Sequence, residues 1–266
     1  MKKASRMQIK NIRRLLKEKK VRDLENIFVA EGEKITKEIL LKGDLLDSVF
    51  VSKTFGEKKK NKKFILDLEK RGIFVFEIED NEFDKASSLQ HSQGILAVSN
   101  KPDFSGYALL GGKSALVVLC DGIQDPGNLG TIIRTSVAMR ADMVLLTGDC
   151  VDIFNPKVVR ASSGMMLDIP VLEADEKTLD QLKGEGYFFL AGHAAKERSE
   201  DISKIRSLPS RLIVAFGSEG KGLSDTVLKK ADKVFHIPVS EKCESLNVTS
   251  AVAIALYTVA RIKRGE

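Results

Sequence analysis

Tryptophan is absent from this chain of 266 residues, aromatic residues make up only 6%, and cysteine occurs three times. Cys120, Cys150 and Cys243 lie far apart and form no Cys-x-x-Cys pair. That spacing argues against a zinc site or a disulfide framework and fits a reducing cytoplasm. The three histidines, His91, His193 and His236, are scattered and read as structural, not catalytic. No metal is expected. The longest apolar run, Ala251 to Ala260, is too short to span a bilayer, and the basic N-terminus is not followed by the apolar stretch of a signal peptide. The chain is thus expected to be neither exported nor embedded in a membrane. It has no low-complexity tract and no internal repeat, so no long disordered segment is expected.

What is present is a core-forming share of 43% hydrophobic residues, in a chain long for one domain and comfortable for two. The formal net charge of +6 is modest evidence for a polyanionic partner. Its distribution says more. Lys2, Lys3, Arg6, Lys10, Arg13, Arg14, Lys17, Lys19 and Lys20 form one basic cluster, and Lys58, Lys59, Lys60, Lys62 and Lys63 form another, both in the first part of the chain. The chain divides near residue 105. Before it, a basic helix and strand-like runs at Ser48 to Ser52, Ile73 to Ile78 and Gly94 to Ser99 alternate with charged helical stretches such as Lys62 to Arg71. Chain breakers from Lys101 to Gly106, continuing to Gly111-Gly112, read as a linker. After it, strands near Ala115 to Cys120, Met143 to Thr147, Tyr187 to Ala191, Leu212 to Phe216 and Val234 to Ile237 alternate with helical segments. That order predicts a mostly parallel sheet covered on both faces. The expected domains are 1–104, a small α/β unit, and 105–266, a larger α/β domain.

Three segments of the second half join a strand to a backbone-rich loop and a helix start. In the first, Asp125-Pro126-Gly127-Asn128-Leu129-Gly130 opens a helix with Ile132, Ile133, Val137 and Met139 on its apolar side. Arg134 is expected about one and a half turns in, within reach of the loop, so that Asn128 and Arg134 face one site suited to a phosphate, a carboxylate or a ribose. The competing reading makes Asn128 a helix cap and Arg134 a solvated surface residue. In the second, Phe216-Gly217-Ser218-Glu219-Gly220-Lys221-Gly222 has glycines that admit close backbone approach. It matches neither the dinucleotide fingerprint nor the Gly-Lys-Ser/Thr ending of a P-loop. A surface turn before a helix capped by Ser224 is the alternative. In the third, Ile237-Pro238 ends a strand, and Ser245-Leu246-Asn247 precedes an apolar helix from Val248 to Ile262, where Ser245 and Asn247 serve as caps or as site residues.

In order and spacing, Asp125-Pro-Gly-Asn-Leu-Gly with Arg134, Phe216-Gly-Ser-Glu-Gly-Lys-Gly, and Ile237-Pro-Val with Ser245-Leu-Asn-Val resemble the three signature motifs of the SpoU family of RNA ribose 2'-O-methyltransferases, within the SPOUT superfamily. Phe28-Val-Ala-Glu-Gly-Glu-Lys and His91-Ser-Gln-Gly-Ile-Leu-Ala-Val resemble more loosely the substrate-binding domain that many members carry, a fold related to RNA-binding ribosomal proteins. The resemblance implies a C-terminal α/β domain with a parallel sheet and a deep trefoil knot, which periodicity alone never suggests. It implies bent S-adenosylmethionine held by backbone groups at Gly217, Ile237 and Leu246, with Glu219 close by. It also implies a homodimer packed through the knotted region, including the last helix.

The implied reaction is attack of a ribose 2'-hydroxyl on the cofactor's methyl group, without a metal. Arg134 matches the family's proposed catalytic arginine. An arginine is protonated at ordinary pH, so electrostatic stabilisation of the forming alkoxide is preferred to general-base action. The implied roles of Asn128, Glu219, Ser245 and Asn247 are to position the ribose, orient the loop and hydrogen-bond around the reacting groups. The basic first domain is expected to contact phosphates. Its few aromatics, Phe55 and Phe64 among them, favour reading RNA by shape over stacking on a row of bases. Ribosomal RNA of the large subunit is favoured over transfer RNA. A catalytically inactive RNA-binding relative is the competing function, against which Asn128, Arg134, Glu219, Ser245 and Asn247 together count. A nicotinamide-dependent enzyme is disfavoured by the missing fingerprint.

Overall fold

A computed structural model describes residues 1–104, 114–193 and 199–265. Residues 105–106 and 111–112 of the expected linker lie outside the described residues. The chain forms two compact units, Met1–Asp103 with Phe154–Leu167, and Phe104–Ile153 with Asp168–Glu266.

The first unit runs β1 (Lys2–Lys3), α1 (Arg6–Lys17), α2 (Lys19–Glu25), β2 (Ile27–Glu31), α3 (Glu33–Leu40), β3 (Leu46–Ser52), α4 (Lys53–Glu57), α5 (Lys59–Lys70), β4 (Phe74–Ile78), α6 (Asp80–Ala86) and β5 (Ile95–Asn100). Its five-stranded sheet has the order β1-β4-β3-β5-β2, with β1, β4 and β3 parallel and β5 antiparallel to both β3 and β2. The basic N-terminal stretch is not one helix. Ser5 caps α1 through a reciprocal box with Gln8, each side chain accepting from the other's backbone N–H at 3.2 and 2.9 Å. Lys2 and Lys3 are left outside as a short edge strand. Ile9, Ile12, Leu15 and Leu16 form the buried stripe of α1 against Val29, Phe50, Leu96 and Val98 of the sheet, each burial contributing roughly 1.5–3 kcal/mol.

The second unit runs β6 (Ala115–Asp121), α7 (Pro126–Ala138), β7 (Met143–Thr147), β8 (Val171–Glu173), α9 (Glu176–Gly184), β9 (Phe188–Gly192), β10 (Glu200–Asp201), β11 (Arg211–Gly217), α10 (Asp225–Lys230), β12 (Lys233–His236) and a last helix (Val248–Arg264). All seven strands are parallel, in the order β10-β12-β9-β11-β6-β7-β8. The expected parallel sheet with both faces covered is therefore borne out. Every residue of β6 is buried, as a strand packed on both faces requires. Val117, Leu119, Ile213 and Ala215 face Leu179, Leu182 and Val227 of α9 and α10. On the opposite face, Ile132 and Ile133 of α7 and Val252 and Leu256 of the last helix are fully buried, and those two helices pack on each other. Beyond β6 the chain moves through α7 to β7 on one side; beyond β11 it moves through α10 to β12 on the other. The C-terminal ends of β6 and β11 thus flank a crevice, the usual ligand position in an open α/β sheet.

Phe154–Leu167 departs from a simple cut at residue 104. Its short helix Pro156–Ala161, α8 in chain order before α9, belongs with the first unit, not the second. Arg160 Nη1 donates to Glu31 Oε1 at 2.9 Å, and the same buried carboxylate accepts from Ser87 Oγ at 2.5 Å and from the Ser88 hydroxyl. Phe154 packs on Phe28 with ring centroids 5.1 Å apart. No helix among the described residues is long and apolar enough to cross a membrane.

Candidate active site

The loop after β6 is built around its helix cap. Asp125 Oδ1 accepts from Asn128 N at 2.8 Å, and Pro126 fills the first helical position, where a missing N–H costs nothing. Asp125 is thus the cap expected of Asn128, and the Asn128 side chain is available for another contact. Its Nδ2 donates to Glu219 Oε1 at 2.9 Å. Because α7 starts at Pro126, Arg134 stands more than two turns along it, about 12 Å from the first residue and about 120° around the axis from Asn128. Arg134 is exposed and is not among the residues lining either cleft described below. The expected shared face of Asn128 and Arg134 is therefore not present.

The loop after β11 closes on itself. Ser218 N donates to Gly222 O at 3.1 Å and Gly222 N to Ser218 O at 2.8 Å. A Cβ on Gly217 would lie 2.0 Å from the carbonyl carbon of Gly222 and 2.2 Å from Leu223 N, so only glycine fits. Ser224 caps α10 as one reading expected, and its backbone N–H donates to Asp121 Oδ2 at 2.6 Å. Asp121 is buried at the end of β6, and its Oδ1 accepts from Thr147 Oγ1 at 3.0 Å. The pinched loop is thereby tied to the strand beside it.

Before the last helix, which we label α11, Asn247 is the helix cap that one reading of its position expected, and it also reaches Glu219. Its Oδ1 accepts from Thr249 N at 2.9 Å as the helix cap, and its Nδ2 donates to Glu219 Oε1 at 2.5 Å. Ser245 is exposed, and its carbonyl accepts from Cys243 Sγ at 3.0 Å. One oxygen of Glu219 therefore gathers side chains from the first and third motifs, 91 and 28 residues away.

Two clefts open at these strand ends. One, about 370 Å³, is lined by Gly217, Ile237 and Leu246, with Phe216, Glu219 and Ser245. The other, about 570 Å³, is lined by Asp121, Gln124, Asn128, Asp149, Glu219 and Asp225. The Ser218–Gly222 loop and Val248 border both, which makes Glu219 part of a shared wall. Both volumes fall in the range of small-molecule sites, about 300–1,000 Å³. The first cleft also includes His193 and His236, at the C-terminal ends of β9 and β12. His236 Nδ1 lies 2.9 Å from Ser199 Oγ. Burial pushes the Cys120 thiol well up and the Cys150 thiol up, so neither is a thiolate nucleophile at neutral pH. The described residues contain no cluster able to hold a metal ion.

Residues 115–257 match the model of the SpoU rRNA methylase family, more than half of the chain. The chain belongs to the SpoU family. Residues 6–97 of this SpoU protein also match an MRM3-like substrate binding domain. It is 31% identical over 240 residues to the 23S rRNA (guanosine(2553)-2'-O)-methyltransferase RlmP of Bacillus subtilis (strain 168), covering 90% of each chain. Among solved structures it is similar to an AdoMet-bound rRNA methyltransferase from Sinorhizobium meliloti, with a TM-score of 0.82, 26% identity and coverage of 98% and 96% of the two chains. A crystal structure of an RNA 2'-O ribose methyltransferase superposes with a TM-score of 0.83 at 26% identity, covering 99% of this SpoU chain and 100% of the other.

Proposed function

We propose that the chain is an S-adenosylmethionine-dependent RNA methyltransferase that modifies a ribose 2'-hydroxyl, with 23S ribosomal RNA as its substrate. The observation that carries this reading is Glu219 Oε1, which accepts from both Asn128 and Asn247 in the wall shared by two clefts. In-line transfer needs donor and acceptor within about 3–3.5 Å, and the two clefts meet along this wall. The relatives named above support the ribose 2'-hydroxyl and the ribosomal substrate.

The smaller cleft fits the cofactor. Backbone groups at Gly217, Ile237 and Leu246 would hold it, with Phe216 and Val248 as apolar walls. The cofactor supplies an electrophilic methyl group carried on a sulfonium. The acceptor ribose enters from the larger cleft. With Asn128 Nδ2 committed to Glu219, its Oδ1 is left as the acceptor that orients the 2'-hydroxyl. Asn247 uses one N–H of its amide to position Glu219 and its oxygen to cap α11, which leaves its second N–H to hydrogen-bond around the reacting groups. Ser245 hydrogen-bonds at the cofactor side. Arg134 stabilises the forming alkoxide as a fixed positive charge; since it stands outside both cleft linings, this role requires its side chain to swing in when RNA binds.

The reading extends to assembly and topology. The stretch from Ile237 to Asn247 is proposed to thread past the Gly217–Gly222 loop as a trefoil knot. The exposed Ile254 and Tyr257 of α11, 41% and 53% accessible, are proposed to pack in a homodimer. The first unit supplies phosphate contacts from its lysines and arginines, which weaken as salt rises. The protein is proposed to act in the cytoplasm. The test is incubation with methyl-labelled S-adenosylmethionine and unmodified total RNA beside Arg134→Ala, followed by mapping of 2'-O-methyl positions. One Arg134-dependent site in 23S ribosomal RNA is expected; no transfer and no cofactor binding would overturn the reading.

A further inference from the structure

Phe74 opens β4 and is 60% exposed, whereas Phe55 is buried and Phe64 lies under the Lys37 ammonium at 5.1 Å. Solitary exposed apolar residues are common and need no explanation, but Phe74 does not stand alone. Phe76, two residues on along the same face of the strand, lies with its ring centroid 6.4 Å away at an interplanar angle of 29°. Phe76 in turn stacks on Phe50 at 5.0 Å and 21°. Phe50 is 4% exposed and belongs to the core under α1. Three rings thus run from the core to the surface, and the outermost has no protein ring above it among the described residues.

Cations occur close to this ring in the strand register and along the chain. Lys2 of β1 is paired in register with Phe76, and Lys70 ends α5 with Arg71 as its cap, a few residues before Phe74. Three of the acidic residues nearest in the chain already have partners. Glu69 meets the amino terminus at 2.6 Å, Asp67 meets Arg71 at 3.1 Å, and Glu79 meets Lys3 at 3.2 Å. Lys2 and Lys70 are exposed and take part in no ion pair among the described residues. A protein partner is better matched by a broad apolar patch. A single flat ring, rigidly backed and flanked by cations, matches a planar base attached to phosphates.

We propose that Phe74 is a stacking platform for one unpaired RNA base, with Lys2 and Lys70 contacting the phosphates on either side. This rests on the reading of the first unit as RNA-binding and goes beyond recognition by shape, because it assigns a single-stranded element of the substrate to a specific residue. Phe76 and Phe50 act as backing, holding the ring in one orientation.

Because the chain contains no tryptophan, Phe74→Trp creates a single fluorescent reporter at the proposed contact. Its emission is to be followed on adding unmodified 23S ribosomal RNA, a short single-stranded oligoadenylate, and a blunt RNA duplex of equal length, with RNA retention by wild type and variant measured in parallel by filter binding. Quenching by ribosomal RNA and oligoadenylate, but not by the duplex, is expected. Phe74→Ala and Phe74→Leu should raise the KM for RNA about 5- to 150-fold with cofactor affinity unchanged, while Phe74→Trp retains the wild-type KM. Leucine keeps apolar bulk without a π-face, so a wild-type KM for Phe74→Leu would overturn the platform. Retention of RNA with unchanged emission would also overturn it and leave the RNA-binding reading standing, as would equal quenching by the duplex. A concentration-dependent emission change without RNA would assign Phe74 to a protein contact instead. Failure of the wild-type protein to retain any RNA would remove the RNA reading itself.

Discussion

Asn247 Nδ2 meets Glu219 Oε1 at 2.5 Å while Asn247 Oδ1 caps α11, so one side chain fixes the start of a helix to the loop after β11. Asn128 reaches the same oxygen from the start of α7 at 2.9 Å. Two helix starts and a glycine loop are thereby held around one carboxylate.

Glu219→Ala should separate these parts. Hydrogen bonds to a charged acceptor contribute about 1.5–3 kcal/mol, so kcat/KM for methyl transfer should fall by about 10- to 150-fold, or more if Asn128 turns away. Glu219→Gln, which retains an acceptor oxygen without the charge, should lie between the two. Methyl transfer at the wild-type rate in Glu219→Ala would remove this carboxylate from the mechanism.

Arg134→Ala should retain cofactor affinity by calorimetry and lose about 10²–10³-fold in methyl transfer, the effect of removing a group that stabilises developing negative charge. Arg134→Lys should recover little if the planar fork of the guanidinium matters more than its charge. Full activity in Arg134→Ala would end the assigned role.

Gly217→Ala places a Cβ 2.0 Å from the Gly222 carbonyl carbon, where backbone has to move. Strain of about 1–3 kcal/mol is expected, seen as a lower Tm together with weakened S-adenosylmethionine binding. A Gly220→Ala control meets nothing within 4 Å and should preserve both measurements.

Acid should weaken the first unit partly through Asp23. Hydrogen bonds from Lys101 and then Lys19 hold its carboxyl below the usual 3.8. A depressed folded pKa means that the stabilisation is complete above the unfolded value and is lost as pH falls through the folded one. Asp23→Asn should therefore unfold more easily than wild type at neutral pH, and the two unfolding curves should converge in acid, once the pH has fallen through the lowered folded value. Parallel curves at all pH values would show that the Lys101 and Lys19 contacts contribute no net stability.

Ile254→Glu and Tyr257→Glu place charge on the exposed side of α11. If that side packs in a homodimer, sedimentation should show a dimer for wild type and a monomer for the double variant. Identical sedimentation of the two proteins would move the subunit contact elsewhere.

Local patterns made much of this legible. Apolar runs between turn residues marked β3, β4, β5, β6, β7, β9, β11 and β12 to within two residues, because a buried strand has to be apolar along its length. The two-residue strands β1 and β10 and the three-residue β8 were not legible, since so short a run carries no period and forms only because a neighbour's edge is free. Helix caps were partly legible. Ser224 and Asn247 cap as their positions allow, but Asp125 takes the place read for Asn128, because α7 starts at Pro126, three residues earlier than that reading requires.

The parallel sheet, the three strand-loop-helix junctions and the family were readable along the chain, since these depend on residues adjacent in sequence or repeated at fixed spacing. Folding was needed to join Asn128 and Asn247 through Glu219, to set Arg134 apart from both clefts, to pair Arg160 with Glu31 inside the first unit, and to leave Phe74 exposed at the end of a row of rings. Each of these is a meeting, or a failure to meet, of side chains distant in sequence, governed by strand order and helix phase, which no local pattern encodes.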